Sequence, residues 1–285
     1  PSGEAVRQRG TSVRPPSTVS EAFVFSSQKI SSSYQNPLSL YSMRYFIKLA
    51  YKGTNYHGWQ IQPNAPSVEE TIEKALSTIL SQKIDIVGCG RTDTGVHAKE
   101  YYAHFDFDGD FPKAFVPRLN KFLPKDIVIF EIKKVADDAH ARFGATHRAY
   151  QYHIVFDKNP FEIETAWSYY NARNLDVEKM QAAAQLLLSY DEFAPFCKAG
   201  HQSNTLICDV RRAEWEVQSD RLIFHIAANR FLRGMVRLIV GTCINIGVGK
   251  VTIEDLKQAM ETQTLMKRSY SVPAEGLYLC DIRYV

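Results

Sequence analysis

The sequence lacks the signatures of several large protein classes. Its five cysteines are widely spaced and include no C-x-x-C pair, which argues against a zinc site or a secreted disulfide framework and favours reduced, intracellular thiols. No apolar run approaches the roughly 20 residues that a membrane helix needs. Walker, G-x-G-x-x-G and H-E-x-x-H motifs are missing too, so the sequence predicts neither a cofactor nor a metal centre.

The net charge is also small, at +3 for 285 residues. So small a value neither demands a nucleic-acid partner nor excludes one; what matters is whether positive charge is concentrated on one face. The apolar fraction of 45% and the charged fraction of 23% are those of a globular protein. The length allows two domains of ordinary size.

Residues 1–42 differ from the rest of the chain. They are rich in Ser and Pro, poor in acidic residues, and show no sustained hydrophobic period. Such a segment has too little apolar content to form a core. We therefore predict a disordered N-terminal extension over residues 1–42, with the folded part beginning at Met43.

From residue 43 onward, short apolar patterns alternate between the periods of strands and helices. Strands are predicted at 44–51, 83–89, 101–107, 127–135, 149–156, 207–218, 221–228 and 277–285. Helices are predicted from the capping residue Ser67 onward and at 113–123, 176–189, 231–247 and 253–262. Strands mostly follow one another or flank single helices, which favours an α+β fold with mainly antiparallel sheets. We predict two halves, 43–146 and 147–285, with a cleft between them.

The stretch GRTDTGVHA, Gly90–Ala98, is the sharpest candidate for chemistry. It places Asp93 on a glycine-rich turn after an apolar run, where loops on a rigid scaffold often carry function. The guanidinium of Arg91 is close enough in sequence to pair with Asp93 and keep it an anionic nucleophile. The alternative is a tight turn with a solvent-exposed ion pair.

The triplet Asp93-Thr94-Gly95 is also the signature of aspartic proteases. Those enzymes need two such elements so that two carboxylates share one proton, and this chain has one. It would have to act as a symmetric dimer, in which Arg91 would hold both carboxylates as anions. We therefore reject the protease interpretation.

Two further segments combine basic and apolar residues. In the first, basic residues lie among aromatic ones, a pattern that suits phosphate contacts beside stacked bases, although a polar loop leading into a strand explains it equally well. Its members are His140, Arg142, Phe143, His147, Arg148, Tyr150 and Tyr152. In the second, Arg230, Arg233 and Arg237 are spaced to share one face of the predicted helix 231–247. That face is either solvated or directed at an anionic ligand.

Five segments, in this order, resemble those of the tRNA pseudouridine synthase A family. They are YHGWQIQ, GRTDTGVHA, HARFGATHRAYQY, NRFLRGMVRLIVG and EGLYL. The resemblance covers Met43–Val285. It implies an isomerase that converts uridine to pseudouridine at positions 38 to 40 of the tRNA anticodon stem-loop, without a cofactor. It also implies two α+β halves joined around a basic cleft with helices on the outer faces, a homodimer, and a cytoplasmic location.

The resemblance also implies roles for individual residues. Asp93 matches the nucleophilic aspartate, and Arg91 matches the arginine that assists base flipping. Tyr150 matches the tyrosine that stacks on the target uracil, and Arg237 matches the basic residue near the aspartate. His140 and Arg142 fall in an RNA-contacting segment.

The chain departs from the family pattern at two places. Ala149 stands where a second basic residue is common in relatives, and Arg233-Gly234 stands where they often have a His-rich pair. Neither departure removes a catalytic group. The competing hypothesis is a tRNA-binding protein without catalysis, which the presence of Asp93 disfavours. Whether the aspartate attacks the base or the ribose stays open.

Overall fold

Nine strands and five α-helices make up the part of the chain that the computed structural model describes, residues 43–197, 205–266 and 268–284. The strands are β1 (Met43–Tyr51), β2 (Val87–Gly88), β3 (His97–Phe107), β4 (Ile127–Lys134), β5 (Ala145–Val155), β6 (Trp167–Ser168), β7 (Val210–Val217), β8 (Arg221–Ala228) and β9 (Leu277–Tyr284). The helices are α1 (Val68–Leu80), α2 (Phe115–Phe122), α3 (Val177–Leu186), α4 (Met235–Gly247) and α5 (Ile253–Thr262). The prediction for residues 1–42 lies outside the described residues.

The strands form one sheet in the order β4-β1-β3-β9-β5-β8-β7, with β2 paired to β3 and β6 to β5. All pairings are antiparallel except β3 with β9 and β5 with β6. The predicted α+β fold with a mainly antiparallel sheet is confirmed. The predicted boundary after residue 146 falls inside β5, and the division into two halves stays a prediction.

Two hydrophobic clusters lie against this sheet. The first combines β1 and β3 with α1 and α2, and the second combines β5, β7 and β8 with α3, α4 and α5. Strand β1 shows why they form: Tyr45, Ile47, Leu49 and Tyr51 are buried on one face and alternate with less buried residues. Full burial of a side chain such as Ile47 contributes about 1.5–3 kcal/mol. Tyr150 packs against both clusters.

Helix α4 begins later than the sequence predicted. Gly234 adopts φ +73°, a left-handed conformation that suits glycine, and the helix starts only at Met235. The predicted helix over 231–247 is therefore wrong in its first turn. Arg230 and Arg233 precede the helix, so they do not share a helical face with Arg237.

Candidate active site

Asp93 lies on the turn that leads from β2 into β3. The turn is closed by a hydrogen bond from the amide of Val96 to the carbonyl oxygen of Asp93, 3.2 Å long. Gly95 adopts φ +78°, which an L side chain resists. The Asp93 side chain is 27% exposed. The glycine-rich motif thus presents a carboxylate at the protein surface on a fixed backbone.

The loop YHGWQIQ, residues 56–62, contacts the backbone of this turn. The amide of Trp59 donates to the carbonyl oxygen of Thr92 at 3.3 Å. Gly58 approaches the same carbonyl so closely that an added Cβ would lie 2.3 Å from its oxygen. Trp59 is itself buried and stacks on Tyr101 with ring centroids 4.0 Å apart. In the sequence this segment counts only as part of the family resemblance; in the structure its backbone supports the Asp93 turn.

Two arginines approach the Asp93 carboxylate from the loop and helix that follow β8. Nη1 of Arg237 lies 3.4 Å from Oδ2 of Asp93, and Nε of Arg237 donates to the carbonyl oxygen of Val272 at 2.7 Å. Nε of Arg233 lies 4.0 Å from Oδ1 of Asp93. Both guanidiniums offset the negative charge of the carboxylate.

Arg91 does not pair with Asp93, in contrast to the sequence-based expectation. Among the described residues, the ion-pair partners of Asp93 are Arg237 and Arg233. Arg91 is exposed. Its charge instead acts on Glu69: burial raises the pKa of that carboxyl, and hydrogen bonding together with the positive charge of Arg91 opposes the rise.

Tyr150 lies in strand β5, within electrostatic reach of Asp93. Burial raises the pKa of its hydroxyl well above the ordinary value, the charge of Arg148 lowers it, and the charge of Asp93 raises it further. The ring of Phe231 contacts the Tyr150 ring edge-to-face, with centroids 5.1 Å apart. The tyrosine is thus a neutral phenol that Phe231 holds in a defined orientation, within electrostatic reach of the Asp93 carboxylate.

His140 and Arg142 lie in the segment that precedes β5, together with an exposed aromatic ring. Phe143 is 77% exposed; the His140 ring lies 4.4 Å from it and the Arg142 guanidinium 5.6 Å. The sequence indicates Phe143 only as part of a basic-aromatic pattern. The structure groups these three side chains but provides no direct contact between them and Asp93.

Arg148 connects that segment to the Asp93 turn. One guanidinium nitrogen, Nη2, donates to the carbonyl oxygens of Cys89 and Arg142, both at 2.8 Å. The other, Nη1, donates to the carbonyl oxygens of Ala145 and Asn229. Four backbone acceptors occupy the guanidinium, so Arg148 anchors backbone segments, which the sequence pattern of alternating basic residues did not indicate.

The segment Val272–Gly276 joins the turn to α4. His97 accepts a hydrogen bond at Nδ1 from the amide of Gly53 at 2.9 Å, so its Nε2–H donates to the carbonyl oxygen of Glu275 at 3.1 Å. Burial lowers the pKa of His97, which favours this neutral form. The carbonyl oxygen of Glu275 binds His97 at the end of the Asp93 turn, and the carbonyl oxygen of Val272 binds Arg237. The same segment therefore fixes both the turn and the arginine that pairs with Asp93.

The described residues contain no group of three or more His, Cys, Asp or Glu side chains that could hold a metal ion. Within the same residues, no helix has the length and apolar character to cross a membrane. The arrangement offers one surface carboxylate, two guanidiniums and one phenol. Such a set can bind an anionic ligand and attack an electrophilic carbon.

Comparisons with known proteins identify the family of the chain. A family model described as tRNA pseudouridine synthase matches residues 183–285, which include Arg233, Arg237 and Val272. This match places the C-terminal part of the chain among pseudouridine synthases; Asp93 lies before it.

Curated relatives extend the likeness over most of the chain. A protein of Bacteroides thetaiotaomicron is 44% identical over 245 residues, 85% of this chain and 90% of the relative. A protein of Porphyromonas gingivalis is 46% identical over 246 residues, 85% and 97% respectively. Both are named tRNA pseudouridine synthase A, as is a 38% identical protein of Acetivibrio thermocellus that matches over 83% of this chain and 97% of its own length. The chain belongs to the tRNA pseudouridine synthase A family.

One solved structure, of an unknown protein from Galdieria sulphuraria, covers 74% of this chain and 94% of its own. Its TM-score is 0.21 and its identity 7%. So weak a likeness does not inform the fold.

Proposed function

We propose that this chain isomerises uridine to pseudouridine at positions 38 to 40 of the tRNA anticodon stem-loop, with Asp93 as the nucleophile. The observation that carries the proposal is the Asp93 carboxylate, held 3.4 Å from Arg237 and within electrostatic reach of Tyr150. Family membership supplies the substrate class, since the relatives are named for tRNA.

The reaction needs no external reagent. The N1–C1′ bond of uridine breaks and a C5–C1′ bond forms, while C5 loses a proton and N1 gains one, so the atoms balance. A carboxylate carries the intermediate either by attacking C1′ of the ribose or by adding to the base. In both routes Arg237 offsets the charge of Asp93 before attack and when the carboxylate is released.

The target base must leave the helical stack to reach Asp93. We assign Tyr150 as the platform under the extruded uracil, since Phe231 orients its ring and the charge of Asp93 reaches its hydroxyl. Arg91, exposed on the same turn, is assigned to extrusion. His140 and Arg142 are assigned to RNA contacts on the segment that Arg148 anchors to the turn.

The family likeness further supports a homodimer acting in the cytoplasm. We assign no cofactor, because the balanced reaction requires none. Size-exclusion chromatography with light scattering tests the dimer directly, with a mass near twice 32.4 kDa expected.

The deciding experiment incubates the purified chain with an unmodified tRNA transcript and maps pseudouridine by chemical labelling and mass spectrometry. We expect pseudouridine within the anticodon stem-loop and none with the Asp93→Asn variant. Binding of the transcript without any pseudouridine would favour the competing hypothesis, a tRNA-binding protein.

A further inference from the structure

Asp93 has two guanidinium partners, and they are held in different ways. Arg237 belongs to α4, is 16% exposed, and is fixed by its bond to the Val272 carbonyl oxygen. Arg233 is 74% exposed and precedes the left-handed Gly234, outside the helix. Its contact with Asp93 is longer, 4.0 Å against 3.4 Å.

These differences determine which of the two arginines can leave the Asp93 carboxylate. An exposed ion pair in water is weak because solvent and salt screen it. The guanidinium of Arg237 is more buried and would lose its hydrogen bond to the Val272 carbonyl oxygen if it moved. Arg233 is therefore the exchangeable partner of Asp93, and Arg237 is the permanent one.

The substrate supplies a phosphate that can replace Asp93 as the partner of Arg233. A nucleotide whose C1′ or base reaches Asp93 brings a phosphate on the same ribose, a few covalent bonds away. Arginine pairs well with phosphate because its planar fork donates to two oxygens. The incoming phosphate would also repel the Asp93 carboxylate if no cation lay between them.

We propose that Arg233 shifts from Asp93 to the phosphate of the target nucleotide when RNA binds, so that the nucleophile is partly released only when substrate is in place. This inference rests on the proposed function. It assigns Arg233 to substrate binding at the reacting nucleotide. Arg237, by contrast, keeps its place beside Asp93 throughout.

The test uses an anticodon stem-loop in two forms, one unmodified and one with a single uncharged methylphosphonate 5′ to the target uridine. Wild-type protein and Arg233→Gln are compared on both RNAs for equilibrium binding and for single-turnover pseudouridine formation. The matched control is Arg212→Gln. Arg212 is also exposed and paired, to Glu214 at 2.8 Å, but lies on the edge strand β7.

On unmodified RNA, Arg233→Gln should bind and react about tenfold less well, as expected for loss of one charged contact, while Arg212→Gln behaves as wild type. On the methylphosphonate RNA, wild type should lose about the same factor and Arg233→Gln should lose little more. The proposal would be overturned if the loss caused by Arg233→Gln and the loss caused by the neutral linkage simply added up in the variant on the methylphosphonate RNA. An Arg233→Gln variant that binds and reacts like wild type would overturn it as well.

The outcome separates this inference from the proposed function. If wild type forms no pseudouridine on unmodified RNA, the proposed function fails, and the binding comparison alone still decides whether Arg233 contacts the phosphate. A melting temperature of Arg233→Gln equal to that of wild type shows that any loss is not a loss of fold.

Discussion

Asp93 and Arg237 are 144 residues apart in sequence, yet their side chains approach to 3.4 Å. Asp93 lies on the turn after β2, where Cys89 belongs to the first hydrophobic cluster, and Arg237 lies on α4, whose apolar residues belong to the second. The pair therefore exists only when both clusters are folded against the same sheet. Any change that shifts one cluster relative to the other is expected to alter the candidate active site.

Removing the nucleophile should separate catalysis from binding. Asp93→Asn should abolish pseudouridine formation and leave tRNA affinity within about tenfold, because affinity rests on many phosphate contacts. Asp106→Asn is the control, since Asp106 pairs with Arg44 at the surface; it should retain turnover. Substantial turnover by Asp93→Asn would remove this carboxylate from its assigned role.

Tyr150 should act through its ring. Base–aromatic stacking is worth about 1–3 kcal/mol, and phenylalanine keeps both the ring and the edge-to-face contact with Phe231. Tyr150→Phe should bind the stem-loop almost as well as wild type, even where loss of the hydroxyl slows the reaction. Tyr150→Ala should lose both binding and turnover. Equal behaviour of the two variants in binding and single-turnover assays would argue against a stacking platform.

Arg91 is expected to matter on structured RNA. Arg91→Lys keeps the charge but loses the planar fork, so turnover on an intact anticodon stem-loop should fall severely. On an unstructured single strand with the same sequence, the base needs no extrusion and the variant should approach wild type. Because Arg91 does not pair with Asp93, the loss should not arise from the nucleophile. Near-normal rates on the intact stem-loop would show that Arg91 does not assist flipping.

Gly58 should be intolerant of a side chain for two reasons. Its φ of +91° costs alanine about 1–2 kcal/mol, and the added Cβ would lie 2.3 Å from the carbonyl oxygen of Thr92. Gly249→Ala is a matched control, since Gly249 has φ +73° with nothing within 4 Å of the added atom. Gly58→Ala should lower the melting temperature more and also reduce turnover, because Thr92 adjoins Asp93. Identical effects of the two variants would contradict the clash.

Acid should destabilise the fold through the buried histidine His104. Burial lowers the pKa of His104 to about 4, with the charges of Arg44 and His140 acting in the same direction and Asp106 opposing them. Between pH about 6.5, the unfolded value, and about 4, the unfolded chain binds a proton that the folded chain does not. The free energy of unfolding therefore falls as the pH falls through this window.

A variant tests this pH dependence. Nδ1 of His104 accepts a hydrogen bond from the amide of Ala141 at 3.2 Å, and the oxygen of asparagine can replace that acceptor without titrating. His104→Asn should resemble wild type in melting temperature near pH 8 and lose less of it at pH about 5. An equal loss in both proteins would exclude His104 as a source of acid sensitivity.

Local sequence patterns predicted most individual elements. The alternation in β1 and the Ser67 cap, which accepts from the Glu70 amide at 3.2 Å, are properties of a few neighbouring residues. The start of α4 was missed because the left-handed Gly234 interrupts an otherwise helical pattern. The insertion of β9 between β3 and β5 was not predictable, since strand pairing depends on residues far apart in sequence.

The candidate site shows the same division between local and distant information. Asp93 stood out because its turn is encoded by adjacent glycines, whereas its pairing with Arg237 instead of Arg91 depends on long-range packing. His97 belongs to the same motif, but both its ring nitrogens bind backbone atoms. The sequence pattern pointed to Arg237 only as part of a basic face, and the family likeness placed it near the aspartate. The roles of Tyr150 and the other site residues stay predictions.

The position of β9 also bears on how the protein folds. This strand comes last among the described elements, yet it pairs with β3 on one side and β5 on the other. Pairings between distant segments form late, because closing long loops costs entropy before any contact repays it. Each hydrophobic cluster can begin to condense earlier, but Asp93 and Arg237 come within reach only once β9 has docked. Catalytic competence should therefore appear as the final step of refolding, after most helix and strand signals have recovered.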